Sequence, residues 1–420
     1  MDRRRRVWAG LFAGIGVLAA ISLLLGPRIF RTNRMGDMPL PQLIAPGDRH
    51  IRYIGRFDWR DPAGPRCAWP ACEVSIRLRG SALNAVIKDD GDDRYEVVVD
   101  GSPQSVLVLA PGRRVYRIVS GLPDCDHAIA LVKRTEACVG TTQFLGYQMS
   151  TDGRLESEPT PTPSLKGRES SGAAGTMPRV VSGSAMSERT RTAALPHSGA
   201  ESARQPARRQ IEAIGDSISA GLGNEAAPGD NVSPAGEDAY MAYVAIAARS
   251  LSADYECIAW SGEKLWPIDC ITAVYDRTLP MDYTSRYANG EWKPQAIVIN
   301  LGTNDVWPDN PDKESWVAAY MRFVDKLRRS NNSVMIYLVL GPMLSDASPP
   351  GHKALSTVRD YLSTVVYRQH AIGNKRIRLI EFPVEDPRSG VGGYGHPNVK
   401  THVEMAEQLA AAIRSDLHWK

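Results

Sequence analysis

The sequence predicts an α/β domain, a parallel sheet between helices, preceded by an all-β sandwich of jelly-roll type. Three observations predict it. Short apolar stretches broken by Gly, Asp and Pro fill residues 49–154. From residue 211 onward, apolar strands alternate with helix-length amphipathic stretches. Between the two lies a stretch rich in Ser, Pro, Gly and Arg with few large apolar residues. At 420 residues the chain has room for two globular units.

The N-terminal element is not globular. "MDRRRR" precedes "VWAGLFAGIGVLAAISLLLG", an uncharged run over 7–26 that is long enough to span a bilayer core. "PRIFRTNR" follows directly, without a small-x-small cleavage site. Segment 1–34 is therefore read as an uncleaved membrane anchor, with a cleaved signal peptide as the alternative. The larger arginine cluster, at 3–6, faces Arg28, Arg31 and Arg34 across the run. The positive-inside rule then puts the start in the cytoplasm and the body outside, in the periplasm or at the cell exterior. If the segment is cleaved, the protein is secreted.

Cysteine usage agrees with export. The six cysteines form three sequence-local couples, Cys67 with Cys72, Cys125 with Cys138, and Cys257 with Cys270. None has metal-site spacing, so local disulfides in an oxidising compartment are expected and no metal is. Buried free thiols are the alternative. The net charge of +3, without a basic helix carrying aromatics, argues against a nucleic-acid partner.

The first globular unit, 49–154, reads as strands: "IRYIGRFDW", "CEVSIRLRG", "LNAVIKDD", "RYEVVVDG", "QSVLVLA", "RVYRIVSGL" and "HAIALVKRTE". Strands at this spacing with turn signals suggest a β-sandwich. Segment 155–209 buries too little apolar surface to offset chain entropy and reads as a disordered tether. In 210–420 the strands are "IEAIG", "YECIAW", "AIVINLG", "VMIYLVLG" and "RIRLIEF". Helices are expected at "AYMAYVAIAARSL", "KESWVAAYMRFVDKLRR" and "VKTHVEMAEQLAAAIRSDL". Such alternation implies a parallel sheet covered on both faces, with its site at the carboxyl ends of the strands.

Those ends carry polar, small-residue turns: Gly215-Asp216-Ser217, Ser261-Gly262 and Gly302-Thr303-Asn304-Asp305. "GGYGHPN" places His396 just before the final helix. Ester hydrolysis asks for this set. A serine needs a neighbouring base, normally imidazole, and the oxyanion needs two or three donors. Ser217 N–H, Gly262 N–H and the Asn304 amide supply three. An isolated serine before a helix is by default an N-cap, and here the other blocks outweigh that. Asp305 is read as fastening its loop. His402, on the last helix, is read as structural or exposed, His370 and His418 as meeting helix dipoles, and His352 as solvated.

These blocks resemble the SGNH hydrolase superfamily: "GDS" with the nucleophile, a Gly after the second strand, "GTND" with the Asn, and a C-terminal His. They resemble in particular carbohydrate esterase family 2, the acetylxylan esterase-like deacetylases. "YIGRFDW", "YEVVVDG" and "LVKRTE" are similar to that family's sandwich, and "VYDRTLPMDY" and "HPNVKTHVEMAEQL" to its catalytic half. The resemblance covers 49–154 and 211–417. It implies a serine esterase removing O-acetyl groups from a carbohydrate, with no cofactor. Ser217 is then the nucleophile, His396 the general base, and Ser217, Gly262 and Asn304 the oxyanion hole.

One departure matters. Many SGNH enzymes carry Asp three before the His, and many relatives in this family read D-W-H-P. Here those positions are Gly393, Tyr394 and Gly395. A Ser-His dyad is therefore expected, with Asp386 or Glu385 as distant candidates for a third member. Trp307, Trp260 and Tyr394 are candidate sugar contacts, with packing an equal alternative for Trp260. Two rivals stand beside this reading: an esterase for another small acyl ester, and a non-catalytic carbohydrate-binding protein.

Overall fold

The computed structural model describes residues 42–151, 153–156, 208–287 and 292–420. The expected anchor at 1–34 and nearly all of the expected tether at 155–209 lie outside the described residues. Among the described residues, no helix is long and apolar enough to cross a membrane.

The first unit is a sandwich of two antiparallel sheets. One orders β1 (Gln42–Ile44), β10 (Thr142–Met149), β5 (Ala82–Asp89) and β8 (Gly112–Ser120), with β3 (Arg66–Cys67) beside β10. The other orders β11 (Arg154–Leu155), β4 (Glu73–Arg79), β9 (Asp126–Lys133), β6 (Arg94–Val99) and β7 (Ser102–Val108), with β2 (Ile51–Ile54) beside β4. In β4 the period-two pattern sends Val74, Ile76 and Leu78 inward, where they meet Ile87, Tyr95 and Tyr147.

The second unit is a five-stranded parallel sheet in the order β13 (Ala253–Ala259), β12 (Arg209–Gly215), β14 (Ala296–Asn300), β15 (Met335–Leu340), β16 (Ile377–Glu381). Helices cover both faces, so β14 and β15 are buried throughout, as their unbroken apolar runs require. Ile297 and Ile299 face α4 (Lys313–Ser330) and α5 (Ala354–Ala371), where Phe323, Leu327, Leu362 and Val365 fill the layer. Ala296 and Val298 face α2 (Tyr243–Ser250) and α6 (Val399–Leu417), which supply Tyr243, Ala247, Met405 and Leu409. Two short helices, α1 (Ser217–Ala220) and α3 (Ile271–Val274), follow β12 and β13.

The two units share their cores. Trp69, fully buried, and Ala137, both from the sandwich, sit in the cluster that holds Ile258 and Ile299, and the Trp69 indole donates to the Arg277 carbonyl at 3.2 Å.

The expected disulfides are corrected: all six cysteines are free. Cys67 and Cys72 are both buried, Cys67 Sγ lying 3.5 Å from the Tyr95 hydroxyl and Cys72 Sγ 3.8 Å from the Arg56 carbonyl. Cys125 and Cys138 bracket the whole of β9, and a strand of 8 residues holds its ends about 25 Å apart. Cys257 points inside toward the Ser219 carbonyl at 3.6 Å, while Cys270 caps α3.

Candidate active site

The strand order is that of a doubly wound sheet whose direction of winding reverses at β12, and ligands bind at such a switch point. Register puts three loops side by side there. Gly215 pairs with Ala259 on one flank and Asn300 on the other. Ser217 is two residues beyond Gly215, Gly262 three beyond Ala259, and Asn304 four beyond Asn300.

Ser217 is not the helix cap. Asp216 is: its Oδ1 accepts the Ile218 N–H at 3.0 Å. Burial pushes the Asp216 carboxyl up to about 7, against the Ile218 N–H, and the Asp305 charge adds to the rise. Ser217 is thereby left at the first helical position with its hydroxyl free for another partner. That partner is His396, whose Nε2 lies 2.8 Å from Ser217 Oγ, with both side chains buried.

The His396 loop has no carboxylate behind it. Asp386 is exposed and engages Arg388 and Ser389, while Glu385 Oε2 and His396 Nδ1 are each buried without a hydrogen-bond partner among the described residues. Burial lowers the His396 pKa, while the main-chain carbonyls of Tyr394 and Gly393 pull it the other way. The imidazole is thus neutral at neutral pH and able to accept a proton. Geometry accounts for the missing acid. A Cβ on Gly393 would lie 2.6 Å from the Ala226 Cβ, because Gly393 N–H donates to the Gly223 carbonyl at 2.8 Å and pulls the two loops together. A side chain three residues before His396 has no room in this backbone.

The donors are arranged around the same edge. Asn304 Nδ2 donates to the Glu263 carbonyl at 3.0 Å, which orients the amide and leaves its second N–H for a ligand. Asp305 fastens the neighbouring loop, accepting from Leu265 N, Trp266 N and the Trp316 indole at 2.7 Å. Gly262 sits at φ +78° with open space where a Cβ would be, and no acceptor among the described residues takes its N–H.

The three aromatic candidates divide. Trp307 and Tyr394 are 63% and 70% exposed, and the Tyr394 ring stacks with His396 at 6.3 Å. Trp260 is half-buried and packed on the core, which is the packing alternative. His402 is buried and structural. Its Nδ1 accepts the Tyr243 N–H at 3.1 Å, and burial drives its pKa down to about 3.

From the sequence the sandwich is expected to pack against the catalytic domain and form one wall of the cleft, but sequence reasoning missed the residues by which it reaches that unit. The segment after β9 leaves the sheet and enters the catalytic unit. Arg134 binds Glu96 at 2.5 Å, Glu225, and Asp238 at 3.3 Å. Glu136 accepts the Ser261 N–H at 2.7 Å, next to Gly262. The available signal was a run of charge, "KRTE", at the end of an apolar strand.

The family description Carbohydrate esterase 2 N-terminal matches residues 53–159, and GDSL-like Lipase/Acylhydrolase family matches 213–404. A family two carbohydrate esterase from Clostridium thermocellum, solved in complex with cellohexaose, superposes with a TM-score of 0.73 at 33% identity, over 88% of this chain and 100% of that one. The chain belongs to carbohydrate esterase family 2. Other family members extend the likeness. Cellulase/esterase CelE of Acetivibrio thermocellus is 33% identical over 91% of this chain, which spans only 41% of that longer protein. An acetylxylan esterase / glucomannan deacetylase of Cellvibrio japonicus is 26% identical over 77% of this chain and 79% of its own length.

Proposed function

We propose that the protein is an exported, membrane-tethered serine esterase that removes O-acetyl groups from a polysaccharide, with Ser217 as nucleophile and His396 as general base. The observation that carries this reading is the 2.8 Å contact between His396 Nε2 and Ser217 Oγ at the switch point of the sheet. Ser217 Oγ attacks the acetyl carbonyl and passes its proton to Nε2. The oxyanion is received by the N–H groups of Ser217 and Gly262 and by the Asn304 amide. The sugar oxygen leaves with the proton from His396. Water, activated by the same imidazole, then releases acetate from the acyl-enzyme.

Exposed Trp307 and Tyr394 suit stacking on pyranose rings. The cellohexaose bound by the similar Clostridium thermocellum esterase, and the xylan and glucomannan chemistry of the Cellvibrio relative, support a plant-type glycan substrate. The uncharged run at 7–26 supports a tether outside the cytoplasm.

The test is hydrolysis of 4-nitrophenyl acetate, and acetate release from acetylated xylan and glucomannan, by wild type, S217A and H396A. Both variants are expected to lose about 10³-fold or more in kcat. A folded wild type without turnover that still binds the glycan would establish the non-catalytic reading instead.

A further inference from the structure

We propose that Glu136, a residue of the β-sandwich, is a positioning residue of the esterase site that fixes the turn aiming the Gly262 N–H. The inference rests on the reading of Gly262 as an oxyanion donor. Along 260–266 every backbone N–H except that of Gly262 has an acceptor. Trp260 N–H goes to the Gly215 carbonyl on β12, Glu263 N–H to the Trp260 carbonyl, and Lys264 N–H to the Asp269 carbonyl. The Leu265 and Trp266 N–H groups go to Asp305. The remaining one, Ser261 N–H, goes to Glu136 Oε2 at 2.7 Å. All but one of these acceptors belong to the catalytic unit. Glu136 alone comes from the sandwich.

The Ser261 N–H lies in the peptide plane just before the one that carries the Gly262 N–H, and only Ser261 φ and ψ separate the two, so holding the first plane limits how the second can turn. A glycine at φ +78° has no side chain to hold it there itself. Glu136 is in turn held firmly. Its N–H donates to Glu237 Oε2 at 3.0 Å, and its carbonyl accepts from Lys133 Nζ at 3.2 Å. Lys133, fully buried, is anchored on Asp93 at 2.6 Å. The chain of contacts therefore runs from the sandwich interior to the amide beside the oxyanion. Burial raises the Glu136 pKa, which disfavours a second negative charge near the oxyanion.

The experiment compares E136D, E136A and E136Q in the full chain. It measures steady-state hydrolysis of 4-nitrophenyl acetate, inhibition by methylboronic acid, and thermal melting. Asp keeps the acid but retracts it by one methylene, whereas Gln keeps an acceptor at full reach. E136D and E136A are expected to lose about 10- to 100-fold in kcat, less than or at most equal to the lower bound of what losing an oxyanion donor costs, because the donor is misaimed rather than removed. KM stays within about twofold, the boronate weakens by the same factor as kcat, and E136Q recovers most of the activity.

Wild-type kcat in a folded E136A or E136D overturns the proposal, and so does a loss confined to KM, or a loss in E136Q equal to that in E136A. Failure of both truncated variants to fold beside a fully active E136Q makes Glu136 structural and overturns it as well. A wild type without turnover overturns the esterase reading and this assignment with it, whereas an active wild type with inactive S217A leaves that reading standing whatever Glu136 does.

Discussion

At the scale of single residues, the site depends on which groups are buried without charge. His396 can serve as a base only while its imidazole is neutral, and burial lowers its pKa from the usual 6.5. Protonation on acidification therefore stops catalysis only below that ordinary value. The expected kcat/KM profile for 4-nitrophenyl acetate is flat through neutrality and falls with unit slope on an acid limb centred below pH 6.5. A limb centred at or above 6.5 would mean that a carboxylate stabilises the imidazolium after all. Tyr394 shows a different cost. Its φ of 53° is left-handed, a conformation worth about 1–2 kcal/mol against a non-glycine residue. Its N–H is held by the Asp230 carbonyl at 3.0 Å, and the exposed ring stacks on the His396 imidazole. Strain kept at such a place fits a contact surface for substrate better than a packing role.

At the scale of elements, the loop over 221–242 joins the Ser217 turn, the His396 loop and the sandwich. Gly223 and Asn224 carbonyls accept from Gly393 and Val399, which sets the His396 loop. Asp238 N–H donates to the Gly221 carbonyl behind α1, and the Asp238 carboxylate meets Arg134. Arg134 is buried among Glu96, Glu225 and Asp238, so R134M would leave carboxylates without a counter-charge. It is expected to lower unfolding free energy by about 3–5 kcal/mol, read from urea denaturation. Much of this level was legible in the sequence. The helix at Val399–Leu417 lies where its pattern put it, and the parallel strands differ from their apolar runs only at the ends. β10 was not legible, because "TQFLGYQM" carries two glutamines and a bulge between Phe144 and Tyr147, so it lacks clean alternation. "HAIALVKRTE" read as one strand, yet the ladder stops at Lys133. Periodicity reports burial of side chains, and it is blind to which domain a buried charge serves. For the same reason the Ser217–His396 pair was readable from motif blocks, whereas Glu136, far from them in sequence, was not.

For the whole molecule, the interface is a meeting of buried charges. The sandwich supplies Arg56, Lys133 and Arg134, and the catalytic unit supplies Glu212, Glu256, Glu237 and Asp238. Arg56, fully buried, binds Glu256 at 2.6 Å and lies 4.1 Å over the Tyr287 ring. Acids outnumber these cations, and burial raises Glu237 to about 8 and Glu212 and Asp238 to about 7, as it raises Asp216 at the site and Asp89 within the sandwich to about 7. Each has its pKa raised on folding from near 4, so the stability it contributes is fully present below pH 4 and is lost as pH rises through 7–8. His402 acts with the opposite sign. Its folded value of about 3 lies below the unfolded 6.5, so its contribution is present above 6.5 and lost on acidification. Near pH 6.5 the unfolded imidazole is half protonated, so His402 still adds a small opposing slope that vanishes above about 7.5, while His127, raised by its bond to Asp100, loses its contribution with rising pH as the carboxylates do, and the more numerous carboxylates set the sign. The melting temperature is therefore expected to fall from pH 6.5, most steeply below about pH 7, and to level off above about pH 8, each raised carboxylate still protonated in the fold contributing up to about 1.4 kcal/mol per pH unit below its own folded value. Scanning calorimetry across that window checks it. A flat or rising curve would mean that Arg56 and Arg134 keep these acids ionised, and that the two domains are joined by full ion pairs rather than by protonated carboxyls.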